Sequence, residues 1–102
     1  MPNPVVDFPW TLAHVAATTV PPIRVGPGVL HTIVFNGMTV VGVCTVYDGV
    51  DNTGTVIGAM TLNSAVHVSC QPMTFIYDGA FTTGLHMEFT GGLVADFTVS
   101  FK

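Results

Sequence analysis

From Gly28 onward, apolar and polar residues alternate with a period of two, and turn-forming residues interrupt them about every eight to twelve positions. Period two places successive side chains on opposite faces of a strand. "VLHTIVFNG" sets Val29, His31, Ile33 and Phe35 on one side and Leu30, Thr32 and Val34 on the other, and then meets Asn36-Gly37. Asn-Gly tolerates positive φ at both residues, so a hairpin turn is expected there. "MTVVGVCTVYDG" continues to Asp48-Gly49, and the loop "VDNTG" leads to "TVIGAMTL". "AVHVSC" follows before Pro72, and after it come "MTFIYDG", "LHMEFTGG" and "LVADFTVSF". In the last run Leu93, Ala95, Phe97, Val99 and Phe101 alternate with Val94, Asp96, Thr98 and Ser100, the pattern of a half-buried strand.

No window carries a helical stripe, and the wealth of Val, Thr and Phe favours strands. The expected fold is all-β: a β-sandwich of seven or eight short antiparallel strands, with a jelly roll as one arrangement that would suit it. Residues 1–27 carry six of the seven prolines. Proline lacks an N–H and fixes φ, so this part reads as an extended arm and connector, with one short strand near Thr11 to Ala17. The sandwich proper is expected over residues 28–102.

Two stretches share a motif. "VYDGVDNTG" at 46–54 and "IYDGAFTTG" at 76–84 each place Tyr-Asp-Gly after an aliphatic residue. Asp and Gly serve turns, because the carboxylate bonds nearby backbone N–H groups and Gly adopts positive φ. Asp48 and Asp78 are therefore expected to terminate strands. Asp48, Asp51 and Asn52 crowd an oxygen-rich loop, but their spacing lacks the pattern of a calcium loop with its distant Glu. Turn chemistry is the preferred reading, and no metal is assigned.

Composition changes the picture of the surface. Charged residues make up 8% of the chain, with Arg24 and Lys102 as the only strong cations and a formal charge of −4, against roughly 25% charged in typical domains. Nucleic-acid binding needs clustered Lys and Arg, so it is not expected. A surface this poor in charge protects a free monomer badly, and part of it is expected to lie against other chains. No apolar run approaches the length of a membrane helix, and the chain opens without the features of a secretion signal. Synthesis in the cytoplasm is expected.

The candidate chemistry is sparse. Cys44 and Cys70 lack metal-site spacing; they read as buried free thiols, with a disulfide formed after release as the alternative. His14, His31, His67 and His86 are scattered, with His86 and Glu88 expected on one face of a strand. Protonating all four near pH 6 would bring the formal charge from −4 to about zero, so assembly or solubility is expected to respond to acid. Ser64, Ser69 and Ser100 stand in no nucleophile elbow. No enzyme activity and no cofactor are expected. Phe8, Trp10, Val20 and Ile23 are the candidate partner-interface residues of the arm; the aromatic pair either folds back onto the domain or anchors on a neighbouring subunit.

The ordered stretches "GPGVLHTIVFNG", "TVVGVCTVYDG", "GTVIGAMT", "TFIYDGAFTTGLHMEFTGG" and "ADFTVSFK" resemble small all-β virion proteins of tailed bacteriophages, over about residues 26 to 102. The resemblance implies a structural protein of the particle. The leading expectation is a capsid decoration or cement protein that binds the major capsid protein and copies of itself, as a homotrimer, and stabilises the head. It supplies no catalytic residues. A neck, tail or fibre subunit is the alternative within that class. A glycan-binding attachment module, with Tyr47, Tyr77 and Trp10 as its aromatic candidates, is the alternative outside it.

Overall fold

The computed structural model describes residues 10–63 and 72–102. Phe8, His67, Cys70 and the expected strand "AVHVSC" lie outside the described residues. The strands are β1 (Thr11–Val15), β2 (Arg24–Val25), β3 (Gly28–Val40), β4 (Gly42–Asp48), β5 (Thr55–Leu62), β6 (Met73–Phe81), β7 (Gly84–Thr90) and β8 (Val94–Phe101). They form two four-stranded antiparallel sheets, in the orders β1-β8-β3-β6 and β2-β7-β4-β5. The chain is an all-β sandwich, as the period-two pattern requires. The pairing is nested: β1 with β8, β2 with β7, β3 with β6 and β4 with β5.

Strands from the two sheets share one apolar core. Leu30, Ile33 and Phe35 from β3, Phe81 from β6, and Phe97 and Val99 from β8 meet Cys44 and Val46 from β4 and Leu85 and Met87 from β7. Phe97 sits among aromatic rings, 5.7 Å from Phe35 in a tilted contact and 5.7 Å from Phe89 edge-on, geometries that favour ring edges over ring faces. In β8, Ala95, Phe97, Val99 and Phe101 are all buried and the residues between them are not.

The strand β3 departs from the expected reading in two ways. It does not turn at Asn36-Gly37 but runs on to Val40, and Gly37 pairs with Asp96 and Met38 with Ala95. The local turn signal is absorbed by a bulge, because continued pairing with β8 satisfies more backbone groups than an early turn would. Asn36 is the extra residue; its side-chain amide donates to Asp96 Oδ1 at 2.8 Å and to Thr98 Oγ1 at 3.1 Å. A second bulge at His31 shifts the phase of the strand, so Leu30 joins Ile33 and Phe35 in the core while His31 does not. The expected grouping of His31 with Ile33 on one face is thereby corrected.

Asp48 ends β4, as turn chemistry predicts. Asp78 does not end a strand: it lies inside β6 with φ of 48°, where Tyr77 and Asp78 together oppose His31 of β3. Asp tolerates that left-handed conformation better than most residues, so the same residue type that makes a turn in one stretch makes a bulge in the other.

Both strands before Gly28 are built into the sheets. β1 is an edge strand on β8, and β2 pairs Arg24 with Leu85 and Val25 with Gly84. Between them, the connector is stitched to β7: Thr19 N donates to Met87 O at 3.0 Å, Ile23 N to Leu85 O at 2.8 Å, and Phe89 N to Thr18 Oγ1 at 3.0 Å. The Val20–Pro21 peptide is cis.

Candidate functional site

The Asp48 loop is the first place where sequence suggested a ligand. Thr83 N donates to Asp48 Oδ1 at 2.8 Å, Thr82 N reaches Oδ2 at 3.0 Å, and the Thr82 hydroxyl donates to Oδ2 at 3.2 Å. The carboxylate therefore caps the two-residue passage from β6 in one sheet to β7 in the other. These donors, led by the Thr83 N–H and then the Thr82 N–H, hold its pKa below the usual carboxylate value. Asp51 accepts from the Thr53 hydroxyl at 2.5 Å and from Thr53 N at 2.9 Å, a local turn that also lowers its pKa, the hydroxyl contributing most. Both Asp48 oxygens and Asp51 Oδ1 are engaged with protein donors. Among the described residues no group of three or more His, Cys, Asp and Glu is placed to hold a metal.

The three described histidines occupy separate settings. His14 on β1 pairs with Asp96 on β8, 82 residues away in sequence, and the Asp96 carboxyl is lowered first by that bond and then by Asn36. His31 pairs through Nδ1 with Asp78 across the β3–β6 bulge. The residues of each pair stand far apart along the chain, and no spacing signal in the sequence announces either. His86 is 3% exposed. The connector covers it: His86 Nδ1 donates to Thr19 O at 3.0 Å, and the Tyr47 ring lies 5.8 Å away. His86 and Glu88 do share a face of β7, the imidazole buried and the carboxylate partly exposed.

Of the candidate interface residues, Trp10 stacks on His31 of its own chain at 4.3 Å between ring centroids and 11° between planes. Lys102 Nζ sits 4.9 Å from the centre of the same indole, a cation–π arrangement. Ile23 packs against the core, and Val20 is 83% exposed. Val20 and Ile23 both line an open groove along the connector, with Ala13, Val15 and Pro21.

Other side chains show what the surface offers. Tyr47 and Tyr77 are both partly buried, Tyr47 beside His86 and Tyr77 with its hydroxyl over Gly58, and burial raises the Tyr77 pKa. Burial also pushes the Cys44 thiol up to about 12. Leu12 and Ile76 stand at the two edges of the β1-β8-β3-β6 sheet, 68% and 70% exposed. Between them, in register, lie Ser100 and Thr32. Val40, Val41 and Val94 are exposed together beside an open groove of about 420 Å³ lined by Ala16, Met38, Thr39, Val94 and Ala95 among others.

Three of the described carboxylates are bonded within the fold: Asp48 to a turn, Asp96 to His14 and Asn36, Asp78 to His31. No family model, no curated protein and no solved structure matches the chain.

Proposed function

We propose that the protein is a structural subunit of a tailed-bacteriophage particle, a decoration protein that binds the assembled head and stabilises it without chemistry of its own. One observation carries the proposal: the described carboxylates of the loops and bulges are spent on internal hydrogen bonds, while large apolar side chains such as Leu12, Val20, Val25 and Ile76 face solvent. In a protein with 8% charged residues such a surface is suited to burial by other subunits. The nested strand order is the order a jelly roll has, an architecture that recurs in capsid and lectin domains, and it supports the reading at the level of fold analogy alone.

The mechanism is linkage. A subunit that binds only the completed shell lowers the free energy of that state and raises the barrier to its loss. Heating purified particles with and without the protein tests this: decorated heads release their DNA at a higher temperature and tolerate lower salt. Equal resistance of the two particle types overturns the proposal. Copy number separates it from a neck or tail role, with hundreds per particle for decoration and about a dozen or fewer at the tail vertex.

A further inference from the structure

The four edge strands of the sandwich differ in how they are protected. An exposed edge offers unpaired N–H and C=O groups to any other strand, and proteins blunt such edges by shortness, charge, proline, bulges or a covering segment. β1 is five residues long and carries His14 paired to Asp96. β2 is two residues long, and the connector beside it is hydrogen-bonded along β7. β6 is bulged at Asp78, whose positive φ and carboxylate both interrupt the edge.

β5 has the least protection. It is eight residues long, TVIGAMTL, with no charged residue and no proline. Its one irregularity is the extra residue Ile57, where Val46 pairs with Gly58 and Tyr47 with Val56. Beyond it, Gly58 to Leu62 pairs regularly with β4, and among the described residues no strand pairs with the outer edge of β5. The regular part alternates Met60 and Leu62, buried, with Ala59 and Thr61, exposed and small.

We propose that β5 is a self-association edge: two copies of this chain pair their β5 strands antiparallel about a twofold axis near Met60, joining the two β2-β7-β4-β5 sheets into one eight-stranded sheet. The occupant is a second copy because this edge is complementary to itself. A twofold at Met60 sets Ala59 opposite Thr61 of the other copy, and Gly58 opposite Leu62. No like charges meet, the strand itself carries no aromatic side chain, and the inward and outward faces of both strands stay in phase. A charged partner would find nothing on this edge to recognise. The same symmetry makes the contact isologous, so it closes at two copies. The inference does not rest on assignment to a phage particle and can be tested on the free chain.

The test is sedimentation of the full-length protein over a concentration series, with two charge variants. The wild type is expected to reach twice its 10.7 kDa chain mass. Ala59→Lys with Thr61→Lys places lysines opposite one another across the axis, and Ala59→Glu with Thr61→Glu does the same with carboxylates. Each double variant is expected to weaken association at least tenfold while its circular dichroism stays that of the wild type. An equimolar mixture of the two is expected to recover the double mass. A wild type that remains monomeric at every concentration, a trimeric mass, or a dimer unaffected by both variants overturns the proposal. If either variant loses the wild-type spectrum, amide exchange of wild-type residues 55–62 decides instead: protection that rises with concentration upholds the edge pairing, and protection that does not overturns it.

Discussion

Asp48 and Thr83, 35 residues apart in sequence, are joined by a 2.8 Å hydrogen bond from the Thr83 backbone N–H to the Asp48 carboxylate. The bond links the end of β4 to the point where the chain passes from one sheet to the other. Beside it, Gly49 N donates to Gly84 O at 3.1 Å. Gly84 is confined there: a Cβ would stand 2.8 Å from both Arg24 O and Gly49 O, backbone atoms that cannot swing aside. Asp48 therefore ties the end of β4 to the β6–β7 passage, at a point where β2 also packs closely, and several consequences can be measured.

Replacing Asp48 by Asn removes the charge and points an amide NH2 toward backbone donors. The expected result is a lower melting temperature at pH 7 with the fold retained. Gly84→Ala is expected to be more damaging, because backbone must move. Thermal denaturation followed by circular dichroism orders the variants as wild type, Asp48→Asn, then Gly84→Ala.

Acid sensitivity has a defined sign. The carboxyls of Asp48, Asp51 and Asp96 are all lowered in the folded chain, so the folded state binds fewer protons than the unfolded one over that range. Their contribution is present above the unfolded carboxyl value of about 4 and is lost as pH falls through the folded values below it. Melting temperature is expected to fall from pH 5 to pH 2, and Asp48→Asn is expected to show a shallower fall than the wild type.

Phe97 is fully buried between Phe35 and Phe89. Truncation to Ala leaves a cavity that neither sheet can close, and Phe→Ala in such cores costs about 3–5 kcal/mol. Urea unfolding should show the loss as a lower midpoint. Ser100→Ala, on the outer face of the same strand, should change the midpoint little.

The Cys44 thiol, raised to about 12 by burial, is expected to stay unreactive toward thiol reagents at pH 8 in the native protein. In a Cys70→Ser background, labelling should appear only when denaturant is added. Fast labelling without denaturant would show that the core opens locally at β4.

Trp10 is the single tryptophan, so intrinsic fluorescence reports its stack on His31. His31→Ala is expected to red-shift the emission and raise quenching by added acrylamide. His14→Ala, which breaks a pair elsewhere on the same sheet, should leave both unchanged.

Much of this fold was legible from alternation alone. The inward set Ala95, Phe97, Val99 and Phe101 could be named from sequence because period two is a local property of an extended chain. The end of β4 at Asp48 was legible for the same reason, since a turn residue acts on its nearest neighbours. Asn36-Gly37 and Asp78 read as turns from their own chemistry, but each sits in a bulge. β3, paired on both sides, and β6, paired with β3 on either side of its bulge, each gain more by accommodating an extra residue than by turning back.

The site was less legible than the fold. His31 finds Asp78 across 47 residues, and His14 finds Asp96 across 82, only after β1, β3, β6 and β8 lie side by side. His86 is buried because a connector with few regular features crosses it. Sequence by itself determined the all-β class, the alternation along most strands and the scarcity of charge, which depend on near neighbours and on composition. Only the tertiary structure decided which carboxylates are spent internally and which edge no described strand pairs with, because strand order brings distant residues together by closing loops whose length carries no signature in the residues they join.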